Sequence, residues 1–451
     1  MISPATDVVA PRPTPEAEPA TRDGRARRLG LLLFLASLVV YNANLREVSS
    51  ADTIPTRLVP VAVVLEHRLT LDRYYRDEPA LPYWVQRVGE HYVSSYPILP
   101  GLLAVPVYLL PMLAFGDGSW ALVNLLAKLS ASLIAALSVL VLYLALRRLA
   151  PAVPATVVAL VYAFGTSTWS VSSQGLWGHG PAQLFMAVAV YCALRGNEAP
   201  RYLGYGGLAA GLMVASRPAT GLVASALLAY ALVRHGRQAL RAVLGALAVV
   251  LPLALHNLWQ FGSPQGGYAR LHATHATYHG VSSAWGSSLA EGLLGLLVSP
   301  SRGLLVYSPV LVFALAGLFQ ALGDRRQPLL RWLAAAAGGT VLMLGGFSVW
   351  WGGHSFGPRL LADVLPLLAL LLLPVWPRLG RQRPLRGVFV GLLGASIAVQ
   401  ALGAFYYPSP REVDWNTSPR DVDEAHERLW DWKDSQLLRL LRNGPHPLGF
   451  E

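Results

Sequence analysis

Twelve apolar segments recur along this chain, each about the length needed to cross a bilayer. They leave little room for anything but a polytopic, all-α membrane protein. They run over 29–45, 97–115, 120–146, 153–170, 180–195, 202–216, 218–233, 242–258, 304–322, 329–349, 359–376 and 387–405. Only 14% of the 451 residues are charged. The net charge of +11 would suit a nucleic-acid binder if the chain were soluble. In a membrane protein, basic cytoplasmic loops are the plainer source, so the expected partners are lipids and not nucleic acid. The single cysteine, Cys192, excludes an intrachain disulfide and a cysteine metal cluster.

The arginines sort the connections into two sides. Arg147 and Arg148, Arg195 and Arg201, Arg234, Arg237 and Arg241, Arg325, Arg326 and Arg331, and Arg378, Arg381, Arg383 and Arg386 fill alternate loops. The intervening short connections hold only Arg217, Arg270, Arg302 and Arg359. A cytoplasmic N-terminus agrees with this alternation only if one segment before residue 120 does not cross. Pro97, Pro100, Pro106 and Pro111 single out 97–115, since proline interrupts a helix. The expectation is therefore about eleven transmembrane helices. The tail 1–28 is cytoplasmic and disordered over its first 24 residues. The bundle covers 29–405, with a long extracytoplasmic loop at 43–119 containing interfacial or re-entrant helices. The tail 406–451 is extracytoplasmic. Arg25, Arg27 and Arg28 precede the first span as in an uncleaved anchor.

On this reading the chemically unusual residues share one face. Glu47 and Asp52 lie just past the first span, where a carboxylate suits a general base; the plainer reading is a helix N-cap, Asp52 or Thr53 ahead of Pro55. Leu58–Leu69 reads as an interfacial helix, and 83–96 alternates around Gly89-Glu90 like a hairpin. Arg57, Arg217, Arg302 and Arg359 offer planar cations for phosphate, with snorkelling to headgroups as the competing role. His179 and His354 sit in Trp/Gly turns. Trp350 and Trp351 read as an aromatic belt or a sugar platform, and Gly352 and Gly353 as room for close approach. His272, His275 and His279 lie in what reads as a polar loop without acidic companions for a metal. No phosphate-cradling nucleotide motif is present. No cofactor is called for; a divalent metal is compatible with the pattern but not indicated.

This order of parts resembles the GT-C superfamily of polyprenyl-phosphate-sugar-dependent glycosyltransferases. SADTIPTRLVP (50–60), LTLDRY (69–74), YVSSYPILPGLLAVPVY (92–108), GLLVYSP (303–309) and WWGGHSFGPRLLADVLP (350–366) look like bacterial relatives of the protein O-mannosyltransferase and aminoarabinose transferase group. The resemblance implies an inner-membrane enzyme of the bacterial cell envelope. It would transfer a sugar, with inversion, from a polyprenyl-phosphate donor to a hydroxyl of a lipid, glycan or protein. Asp52 would be the base, with Glu47 as alternate. Arg359, Arg302, Arg217, Arg57, His354, His179 and Trp351 would furnish the donor phosphate and sugar contacts. Many members carry a second acidic residue where this chain has QGLWGHG (174–180), which puts a metal-assisted route in doubt and turns attention to His179. A transporter or flippase of a lipid-linked glycan is the rival, but Lys128 is almost the only charge inside a span and no inverted repeat is evident.

The tail carries a further expectation. Residues 424–442 place Leu429, Trp432, Leu437, Leu440 and Leu441 at helical spacing, so one amphipathic helix is predicted, capped by Asp421 or Asp423 and ended by Asn443-Gly444-Pro445. It would either support the outer loops or act as a lid that helps select the acceptor.

Overall fold

The computed structural model describes residues 20–116, 118–278 and 283–446. The chain opens with α1 (Ala20–Asn42), so helix begins inside the stretch expected to be disordered, whose first 19 residues lie outside the described ones. The first loop follows as α2 (Ile54–Glu66), α3 (Asp72–Tyr75), the strands β1 (Val85–Val88) and β2 (His91–Ser94), and α4 (Leu99–Phe115). Next come α5 (Trp120–Leu149), α6 (Ala152–Phe164), α7 (His179–Arg195), α8 (Arg201–Ser216), α9 (Gly221–His235) and α10 (Leu240–Phe261). The remainder is α11 (Tyr268–Tyr278), α12 (Leu289–Val298), α13 (Leu304–Tyr307), α14 (Val312–Gly323), α15 (Pro328–Gly345), α16 (Leu365–Leu370), α17 (Trp376–Arg381), α18 (Arg383–Tyr406) and α19 (Gln436–Asn443). Five helical stretches among the described residues are long and apolar enough to cross a membrane. Shorter apolar helices accompany them.

Close helix packing rests on small residues, as expected where lipid supplies no hydrophobic drive. A Cβ on Gly207 of α8 would collide with the Ala242 carbonyl of α10, and one on Gly245 with the Gly204 carbonyl. The outward faces stay apolar: Leu251, Leu255, Leu258 and Trp259 of α10 are exposed, which suits contact with acyl chains.

Helices α1 and α5 run antiparallel. Gly30 lies against Leu140 and Tyr143, while the Ser132 hydroxyl donates to Asn42 Oδ1 at the opposite end. Residues 43–119 therefore leave and rejoin the bundle at one end. Within them α4 is a single helix of 17 residues: Pro106 and Pro111 lie inside it and do not end it, contrary to the interruption expected. It packs on α2, where Gly101 sits against Val59, and a side chain there would strike the Thr56 carbonyl. The hairpin forms as predicted, antiparallel with Val85 opposite Ser94 and Val88 opposite His91, and Gly89 takes φ +59°. Asp72 ties it down, accepting from the Tyr92 amide at 2.7 Å and pairing with His91 Nδ1 at 2.7 Å.

Gln174 explains how the first loop is anchored. Its Oε1 accepts from Asn44 at 2.7 Å and from Lys128 Nζ at 2.5 Å, and its carbonyl accepts from the Val48 amide. The one charge noted within a span thus braces a junction of backbone turns.

Two expectations fail here. The polar loop at 259–290 contains a helix, α11, with His272 half-buried; His279 lies outside the described residues. The tail does not form one helix over 424–442. It makes a short 3-10 turn (His426–Trp430) and then α19. Asp431 accepts from the amides of Lys433 and Asp434, so local turn chemistry overrides the helical spacing. Ser435, and not Asp421 or Asp423, caps α19, and Gly444 ends it at φ +78° as predicted.

Candidate active site

Asp52 lies in a 3-10 turn (Ala51–Thr53) at the start of α2. Thr53, and not Asp52, takes the N-cap position of α2, without a side-chain cap hydrogen bond. Asp52 Oδ1 accepts from Tyr83 at 2.8 Å and Tyr96 at 2.7 Å, and Oδ2 pairs with Arg359 Nη1 at 2.6 Å. Burial, reinforced by the Asp52 charge, pushes the Tyr96 phenol well above its ordinary value. It therefore stays protonated and donates.

Arg359 begins a 3-10 turn (Arg359–Val364). Its guanidinium lies over the Trp177 ring, 4.5 Å from the centroid, and Nη2 donates to the Gly352 carbonyl. Gly352 and Gly353 take φ +75° and +66°, a region that disfavours side chains. This aims consecutive carbonyls at two arginines. The Gly352 oxygen faces Arg359, whereas those of Trp351 and Gly353 accept from Arg302 at 2.9 and 3.0 Å. The crowded turn 350–359 is thus built around two guanidinium groups.

A second cluster adjoins the first. Asp363, four residues after Arg359, accepts from Arg217 Nε at 3.0 Å and pairs with His179 Nδ1 at 2.7 Å. Asp363 and His179 are each 1% exposed. Neither spacing nor polarity in the sequence singles out Asp363, because it lies in an otherwise apolar run and its partners are 146 and 184 positions away. Its only sequence signal is a lone charge inside a span.

Two cavities meet at Asp52 and Arg359. One, of about 600 Å³, is lined by Leu222, Val250, Leu253, Met343 and Phe347 and reaches Arg217. The other, of about 290 Å³, is polar and is lined by Ser49, Ser50, Tyr83, His354, Asp414 and Asp423. A charged centre at the mouth of an apolar slot can hold an anionic head whose tail is hydrocarbon.

The structure brings Asp52, Arg359, Arg217 and His179 together and sets His354 across the polar cavity. Glu47, Arg57, Arg302 and Trp351 line neither cavity. Glu47 faces Arg57 at 3.4 Å, and Arg57 also donates to Asn124 at 2.7 Å and lies over Trp120. Arg302 is fully buried, with its donors spent on carbonyls and on Asn416. It shapes the turn instead of facing a ligand. Trp351 is buried against His426, at 4.3 Å between ring centroids, and donates to Asp423 at 2.7 Å, so its face offers no sugar platform. Asp52 belongs to no group of three or more potential metal-ligating side chains among the described residues.

Comparison with known proteins agrees with this architecture. Residues 107–259 match the family model described as dolichyl-phosphate-mannose-protein mannosyltransferase. The archaeal oligosaccharyltransferase AglB from Archaeoglobus fulgidus, solved with an inhibitory peptide and a dolichol-phosphate, superposes with a TM-score of 0.51 at 14% identity. That match covers 94% of this chain and 62% of AglB, so the chain spans about three-fifths of its length. The same archaeal protein solved with Zn and sulfate gives a TM-score of 0.51 at 15% identity, covering 93% of this chain and 59% of that one. No curated protein matches the sequence significantly.

Proposed function

We propose that this chain is a GT-C-type membrane glycosyltransferase that moves a sugar from a polyprenyl-phosphate donor to an acceptor hydroxyl. The observation that carries this is the Asp52–Arg359 pair at the junction of an apolar and a polar cavity. The isoprenoid tail lies in the apolar cavity. The phosphate sits on Arg359, with Arg217 as second cation, and the acceptor enters through the polar cavity.

The chemistry follows from the pairing. Without donor, Arg359 neutralises Asp52. A donor phosphate competes for the guanidinium and so frees the carboxylate to accept a proton. Asp52 then takes the proton of the acceptor hydroxyl as its oxygen attacks the anomeric carbon. The bond from that carbon to the phosphate oxygen breaks, and its electron pair leaves with the polyprenyl phosphate. A single displacement inverts the anomeric configuration. Positive charge fixed where the leaving phosphate gathers negative charge stabilises the transition state.

The placement is a bacterial inner membrane. There are eleven crossings, 97–115 stays on one side, and the centre faces away from the cytoplasm. The acceptor is a lipid, glycan or protein hydroxyl. The test is sugar transfer by the purified full chain from a synthetic polyprenyl-phosphate sugar, with the product anomer determined by NMR. Transfer with inversion supports the proposal; a product of retained configuration overturns the single displacement, and facilitated movement of the intact lipid without transfer overturns the transferase reading.

A further inference from the structure

Across the polar cavity from Arg359 the C-terminal tail meets the turn 350–359. There His354 Nε2 lies 2.8 Å from Asp421 Oδ1 and 3.5 Å from Asp423 Oδ2. The three ligand atoms all fall within 4.8 Å of one another. A second, independent observation points the same way. Asp414, 8% exposed and lining the same cavity as His354 and Asp423, has a buried Oδ1 with no hydrogen-bond partner. A buried carboxylate oxygen left unsatisfied is costly, and a cation or its bound water is the group that would satisfy it.

We infer that His354, Asp421 and Asp423 form a binding site for one divalent cation of the Zn²⁺ or Mn²⁺ class, with Asp414 accepting from a water on that ion. The donor set decides the class: one imidazole with two carboxylates favours a borderline metal over Ca²⁺ or Mg²⁺, which prefer all-oxygen shells. The spacing is close to what is required. Two ligands about 2.1 Å from a tetrahedral ion stand roughly 3.4 Å apart, so the 3.5 Å pair already fits and the 2.8 Å pair opens by well under an ångström.

The surroundings support the ligands. Trp351 Nε1 holds Asp423 Oδ1 at 2.7 Å, which turns Oδ2 toward His354. The Asp423 amide donates to Asp421 Oδ1 at 2.9 Å. The nearby cation Arg302 is committed to carbonyls and to Asn416. Such an ion would clamp the tail to the turn that carries Arg359. The tail is then a fixed wall of the acceptor cavity and not a swinging lid. The site does not include Asp52. Metal binding itself does not depend on the transferase reading.

The test strips the purified full chain with a chelator, then titrates it with Zn²⁺ and separately with Mn²⁺. Metal content is read by mass spectrometry and the melting temperature is followed. The expected result is about one equivalent of metal, a higher melting temperature, and at least tenfold weaker binding in Asp421→Asn, whose half-exposed side chain keeps an oxygen to accept from the Asp423 amide. His354→Gln, checked for folding by its gel-filtration profile, should lose the site. Less than a tenth of an equivalent bound, or binding unchanged in both variants, overturns the inference; the former outcome leaves a histidine–carboxylate ion pair. These readouts do not involve sugar transfer, so failure of the proposed function would leave their result intact.

Discussion

Replacing Asp363 with Asn tests whether a residue hidden in an apolar run governs donor binding. The carboxylate holds the partly buried Arg217 at 3.0 Å and the buried His179 at 2.7 Å. An amide keeps one acceptor, so at most one of these bonds survives in its present form. Losing a hydrogen bond to a charged group costs about 1.5–3 kcal/mol, and leaving a partner charge buried without its counter-ion costs about 3–5 kcal/mol in the fully buried limit. The Arg217 side chain is 19% exposed, which places the loss toward the lower of these ranges. If Arg217 is the second phosphate cation, releasing it should cost a charge-assisted contact to the donor as well. At about 1.4 kcal/mol per decade this corresponds to roughly 10- to 100-fold weaker donor binding. The assay is a donor titration of the reconstituted chain, alongside its melting temperature. A folded Asp363→Asn variant that binds donor as tightly as the parent would refute the role given to the Asp363–Arg217 pair.

Tyr96→Phe removes one of the donors to Asp52. Less stabilisation of the ionised carboxylate should move the acid limb of the pH–rate profile to higher pH, and an unmoved limb would show that Tyr96 does not tune the base. The topology makes its own demand: a reporter fused after Arg148 should be cytoplasmic and one after Pro408 extracytoplasmic, and the reverse at both sites would put the Asp52 centre on the wrong face.

What the sequence discloses of this fold follows from the range of the interactions involved. Helical spans and the hairpin around Gly89 rest on local periodicity and turn chemistry, and they appear where those signals are. The pairing of Asp52 with Arg359 joins residues 307 positions apart, and only the resemblance to a known motif order suggested that both belong to one site. Where the structure departs from the sequence pattern, long-range geometry or a competing local bond decides the matter. Arg302 sits beside a glycine where Arg217 and Arg359 sit beside a proline, with the same chemistry, yet its guanidinium points inward to backbone carbonyls. Trp351 reads as a platform until Asp423 and His426 are seen to claim its edge and face. Asp431 breaks a tail whose apolar spacing was sound. Asp363 is not legible in the sequence because a lone carboxylate among leucines acquires meaning only from Arg217 and His179, which lie 146 and 184 positions away.

The central claim is that Asp52 is the base and Arg359 the phosphate cation. Asp52→Asn separates the two, because it removes the charge while keeping an oxygen to accept from Tyr83 and Tyr96. The direct measurement is single-turnover sugar transfer, set beside equilibrium donor binding, for this variant and the parent chain. The account predicts turnover lower by about 10²–10⁴-fold, with donor binding retained or tightened, since Arg359 no longer has Asp52 to neutralise. Near-parental turnover in Asp52→Asn would contradict it.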